Sequence, residues 1–145
     1  MNLTFYVPDI EPSIYRHRGI VEFHILEPSV SKDTFRQYLK EISTGLKMQP
    51  HPEQPEPIIT SATGHSLQKH DGFEGMLFWL ESGLHAYYWK RTHLITLDMH
   101  SCAFLDKAVV ESVTRSFFTV RDYVHIDLLP EHVQTNGTGI EVVKG

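Results

Sequence analysis

The sequence predicts an α+β fold, a two-layer sandwich in which an antiparallel sheet carries two helices on one face, in the order β-α-β-β-β-α-β. Three observations predict it. Two segments repeat apolar residues at helical spacing. The segments between and around them are rich in β-branched and aromatic residues. Short turn-like breaks join the central ones as hairpins, so neighbouring strands run in opposite directions.

The elements follow in order. Residues 1–18 are mixed, carry Pro8 and Pro12, and read as an irregular N-terminal arm. Gly19 to Leu26 is a strand, stopped by Glu27-Pro28-Ser29. Ser31 can cap a helix by accepting from an otherwise orphaned amide, and Asp33 then favours the first turn. Phe35, Tyr38, Leu39, Ile42 and Leu46 form one apolar stripe of that helix, which ends near Gly45. Met48 to Pro57 holds four of the eight prolines and must be an extended, exposed loop, because proline lacks a donor and restricts the residue before it. A strand follows at Pro57–Thr63, and Gly64 to Gly72 is turn-like. Glu74 to Glu81 is a strongly apolar strand that continues through Leu84 to Trp89 after a break at Gly83. His93 to Cys102 is the next strand. Leu105, Val109, Val113 and Phe117 recur every four residues, with Val110 beside them, and predict a helix over 105–118. Val120 to Leu129 is the last strand, and residues 131–145 read as a flexible tail.

A chain of 145 residues fits one domain, residues 1–145. Its net charge of -5 argues against nucleic acid as a partner. No apolar run reaches the roughly 18 residues of a membrane span, and the start lacks a signal peptide's basic and apolar regions. These features predict a cytoplasmic protein. One cysteine excludes an internal disulfide and any multi-cysteine metal site. The 10 histidines are scattered with no pair at helical ligand spacing, so no metal is expected. On the central strands both parities are apolar, at Phe78, Trp79, Tyr87, Tyr88, Trp89 and Met99. A sheet with helices on one side only then needs a second cover, which predicts a homodimer with αββα layers.

The residues that can carry chemistry lie between Gly72 and Cys102. Glu81-Ser82 ends a hydrophobic strand. Trp89 comes seven residues after Ser82, Cys102 twenty after it, and Gly75 seven before it. In these features, and in the element order over residues 17–128, the chain resembles the prokaryotic S-adenosylmethionine decarboxylases, small pyruvoyl enzymes of polyamine (spermidine) biosynthesis. The acidic-aromatic pair Glu22-Phe23 on the first strand is similar too.

The resemblance implies self-cleavage between Glu81 and Ser82. The Ser82 hydroxyl attacks the Glu81 carbonyl, and elimination from the ester leaves a residue that hydrolyses to a pyruvoyl group. That group forms a Schiff base with a small-molecule amine substrate and acts as the electron sink for decarboxylation. Cys102 would return a proton to the substrate carbon. Phe23 and Trp89 would hold a sulfonium by cation–π contact, with Glu22 beside them. The family's histidine after the serine is Gly83 here. Its second histidine, five after the serine, is Tyr87, and its serine eight before is Glu74. Tyr87, Glu74 and His85, the last one pleat from Tyr87, are the residues available for those roles. The same scaffold could serve ornithine or arginine instead of S-adenosylmethionine, or persist as an uncleaved binding or regulatory relative.

Overall fold

The computed structural model describes residues 1–62, 70–135 and 140–142. Strand alternation builds its sheet. Strand β2 (His17–Ile25) buries His17, Gly19, Val21, Phe23 and Ile25 and leaves the residues between them on the other side. Strands β4 (Gly72–Trp79), β5 (Ser82–Trp89) and β6 (Leu94–Ser101) follow the same rule, burying Leu77, Trp79, Leu84, Ala86, Tyr88, Ile95, Leu97 and Met99. With β1 (Asn2–Asp9), β3 (Ile58–Ala62), β7 (Val120–Thr135) and β8 (Ile140–Val142) they make one eight-stranded sheet. Its order is β1-β7-β2-β6-β5-β4-β3, with β8 pairing off β7. All pairs are antiparallel except β1 with β7.

Helices α1 (Lys32–Gly45) and α2 (Lys107–Phe117) cover the buried face. Ser31 caps α1 as expected, its side chain accepting from the Thr34 amide at 3.1 Å. Phe35, Tyr38, Leu39 and Ile42 are fully buried. Asp106 caps α2, whose most buried positions are Val110 and Thr114, with Val109, Val113 and Phe117 half-buried beside them. The Tyr38 and Thr114 hydroxyls share a hydrogen bond of 2.8 Å between the helices. Trp79 Nε1 donates to Ser43 Oγ at 2.8 Å from sheet to helix, so these buried polar atoms are paired.

Three sequence expectations are corrected. The N-terminal arm holds strand β1, which pairs with β7 from Asn2↔His125 to Asp9↔His132 and has its amino terminus bonded to the Tyr123 carbonyl. The segment read as one strand broken at Gly83 is a hairpin, β4 to β5, whose turn is Leu80-Glu81. The middle of the chain therefore has four strands where three were expected. The tail is partly strand: β7 runs on to Thr135, and Ile140–Val142 pairs back onto it. Hydropathy missed these last pairings because an edge strand needs partner hydrogen bonds more than an apolar stripe. The rest of the tail, and most of the turn-like 64–72 segment, lies outside the described residues. The proline-rich loop is tethered to β4 at its start, where His51 donates to the Phe78 carbonyl and Leu80 donates to the Gln49 carbonyl.

Candidate active site

The β4–β5 hairpin and the end of β6 meet at one end of the sheet. Trp79 pairs with Ser82, leaving only Leu80 and Glu81 between the strands. Of these two, Glu81 alone has positive φ, +58°. Two-residue hairpins prefer a turn in which glycine or asparagine takes that conformation, so a glutamate there is strained. The register across β5 and β6 ends on Gly83↔His100, and its continuation sets Ser101 opposite Ser82 and the next residue opposite Glu81.

That residue is Cys102. Ser82 Oγ donates toward Cys102 Sγ at 3.7 Å and accepts from the Cys102 amide at 3.2 Å. The thiol in turn donates to Glu81 Oε2 at 3.6 Å. Three side chains from positions twenty residues apart thus form one cluster, with Ser82 half-buried and Glu81 and Cys102 exposed.

A cavity of about 550 Å³ opens beside the cluster on the helix-free face. Glu81, Ser82, Gly83 and His85 line it from β5 and its turn, and Met76 and Phe78 from β4. His100 and Asp98 come from β6, Arg18 and Ile20 from β2 and Leu128 from β7. His85 is held by Glu74, with Nε2 2.6 Å from Oε1, and both side chains are close to half exposed. The pair is a hydrogen bond in either charge state of the imidazole and an ion pair when it is protonated.

The structure brings Ser82, Cys102 and Glu81 together, and places His85, paired with Glu74, on the lining of the adjoining cavity. It does not bring in the other four. Phe23 is 1% exposed and faces the helices, packed against Tyr38, Phe118 and Tyr123. Its role in substrate binding is withdrawn, because a ring on the core side of a sheet cannot touch a ligand on the other side. Glu22 pairs across to Thr96, four residues beyond the Arg18–His100 row of the cavity. Tyr87 and Trp89 stack on each other at 4.2 Å, and Tyr87 hydroxyl donates to the His70 carbonyl. Burial, then the Glu74 and Asp71 charges, push the Tyr87 phenol above its ordinary value, so it stays protonated. Trp89 Nε1 donates to Thr96 at 3.4 Å, and the ring lies at the far end of β5 from Ser82.

Sequence reasoning missed Arg18, Asp98 and His100. Arg18 was assigned to the irregular arm. Starting the alternation of β2 two residues earlier would have placed it on the open face with Ile20. Among the described residues no group of three or more potential metal ligands converges.

The fold is similar to that of the adenosylmethionine decarboxylase from Aquifex aeolicus VF5, with a TM-score of 0.60 and 8% sequence identity. The match covers 87% of this chain and 98% of that one. At that identity the likeness shows the fold alone. No protein-family profile and no curated protein sequence matches the chain.

Proposed function

We propose that this chain is a pyruvoyl-dependent decarboxylase of the S-adenosylmethionine decarboxylase type, which cuts itself between Glu81 and Ser82. One observation carries the reading: Ser82 Oγ, Cys102 Sγ and the Glu81 carboxylate cluster within 3.7 Å at a peptide whose first residue is held at positive φ. Strain at that peptide favours a reaction that releases it, and the hydroxyl that would attack it belongs to the next residue. The pyruvoyl group so made at position 82 supplies the electron sink for loss of carbon dioxide. The chain's own residues do the rest. Cys102 is within reach of position 82 and can hold the proton that the substrate carbon takes up. His85, oriented by Glu74, lines the same cavity and can move a proton during processing. Met76, Phe78, Ile20 and Leu128 give the cavity an apolar wall.

A second copy of the chain completes the site in this reading. The helix-free face carries Met76 and Phe78 on β4 and, across the sheet, Leu3, Phe5 and Val7 on β1. All five are exposed, in two apolar groups on either side of the polar cavity lining, and exposed apolar groups of this kind mark a protein interface. Stacking two such faces makes the αββα dimer and roofs the cavity.

Asp98 favours a second substrate, a basic amino acid such as ornithine or arginine. Its exposed carboxylate lines the cavity without a hydrogen-bond or ion-pair partner among the described residues. Such a group can pair with a substrate ammonium or guanidinium.

Intact mass of the purified protein tests the reading. Two chains, 1–81 and 82–145, are expected for the wild type, and one for Ser82→Ala. Release of labelled carbon dioxide from S-adenosylmethionine, ornithine or arginine then identifies the substrate. An uncleaved wild-type chain with an unaltered serine at 82 overturns the proposal.

A further inference from the structure

We propose that His17, whose tautomer is matched to the buried Asp127, is a positioning residue that sets the place of the Cys102 thiol through its acceptor bond to the Leu105 amide. None of these groups takes part in the chemistry proposed above, yet they adjoin it. His17 pairs with Ser101, the residue before Cys102. The loop from Cys102 to Asp106 joins β6 to α2 and is held by three of its amides. Cys102 donates to Ser82 Oγ at 3.2 Å, Ala103 to Ser101 Oγ at 2.9 Å, and Leu105 to His17 Nδ1 at 2.9 Å.

The last of these bonds determines the histidine's tautomer. Nδ1 accepts, so the proton is on Nε2, which donates to Asp127 Oδ1 at 2.7 Å. The same oxygen accepts from His125 Nε2 at 3.0 Å, and the second oxygen meets Lys107 Nζ at 3.0 Å in the first turn of α2. Asp127 therefore ties both ends of the connection, the loop through His17 and the helix through Lys107. Both histidine rings are fully buried, and His125 Nδ1 has no partner among the described residues.

Apolar side chains would hold β2 against β7 at least as well as a buried ionic cluster. They could not supply a directed acceptor for an amide three residues beyond the thiol. The neighbouring Phe104 is exposed and its ring lies 5.3 Å from that of His17, so it leaves the loop little other burial before Leu105.

The role in turnover rests on Cys102 being the proton donor, but its test does not. His17→Asn keeps an acceptor where Nδ1 stands and loses the reach to Asp127. His17→Gln keeps a donor toward Asp127 and loses the Leu105 bond. Iodoacetamide alkylation of Cys102, the only cysteine, is followed by mass on the full-length protein, whether or not it has cleaved. The Gln variant is expected to react about fivefold faster, the opening that one lost hydrogen bond allows. The Asn variant is expected to stay within about twofold of the wild type. Equal rates in the two variants overturn the proposal, because a merely structural histidine would make them alike. Hydrogen exchange on the wild type gives a second test that needs no variant. The Leu105 amide should be as protected as those of β6, and exchange at an open-loop rate overturns the proposal. Failure of self-cleavage in the wild type bears only on the decarboxylase reading.

Discussion

Replacing Asp127 by Asn keeps the shape of a buried side chain and removes its charge. The carboxylate accepts from His17 at 2.7 Å and His125 at 3.0 Å, and pairs with Lys107 at 3.0 Å. An amide offers one acceptor oxygen. Facing it to the histidines sets its NH₂ against the Lys107 ammonium, and flipping it sets the NH₂ against two imidazole N–H groups. One contact is lost outright and the others weaken from charged to neutral. Hydrogen bonds to charged groups are worth about 1.5–3 kcal/mol each. The Lys107 side chain is 32% exposed and can turn to water, so its share is small. The sum is about 3 kcal/mol, the low end for removing one partner of a buried pair.

In urea this moves the midpoint down by about 1.5 M, with m about 2 kcal/mol/M and unchanged. The difference also depends on pH. Burial works to raise the Asp127 carboxyl, but hydrogen bonds from His17 and Lys107 outweigh it and hold it below the ordinary value. Its stabilisation is therefore complete above pH ~3.9 and is lost as pH falls through the lower folded value. The gap between wild type and variant should be present at neutral pH and close only in strong acid. A loss under about 1 kcal/mol at neutral pH refutes the network as an anchor.

Three further outcomes are expected. Gly75→Ala would put a Cβ 2.6 Å from Leu39 Cδ1 and 3.1 Å from Phe35 Cε1, so overpacking between β4 and α1 should cost about 2 kcal/mol and about 6 °C in Tm by calorimetry. If the proposed dimer forms, Phe78→Asp, at a side chain 41% exposed, should convert it to a monomer in analytical ultracentrifugation while leaving the protomer's urea transition nearly in place, and a monomeric wild type refutes the dimer. Burial lowers the pKa of His125 against the pull of Asp127. That histidine's contribution to stability is then complete above pH ~6.5 and declines as pH falls below it, which a urea series from pH 8 to 5 on the wild type and His125→Gln would separate.

Much of the fold could be read from the sequence because periodicity is a local property. The stripe Phe35, Tyr38, Leu39 and Ile42, capped by Ser31, specifies a helix and its buried face without reference to anything else in the chain. The spacing from Ser82 to Cys102 gained its meaning from the family resemblance, and it survives folding as a contact of 3.7 Å because β5 and β6 are an antiparallel pair with a short turn. Phe23 shows the limit. Its residue type suits a cation and its strand is the right one, but the sheet has two sides, and only packing against Tyr38 and Phe118 decides which side the ring occupies. Arg18, Asp98 and the Asp127 network lie beyond that limit as well. Arg18 and Asp98 come from distant strands, His17 and Asp127 are 110 positions apart, and strand order is set by pairing between such segments. The sequence alone therefore determined the helices and most of the strands, and through the family resemblance the Glu81-Ser82-Cys102 candidates. Tertiary structure decided which face each candidate meets and which buried charges hold the loop beside it, since those depend on contacts that no local pattern encodes.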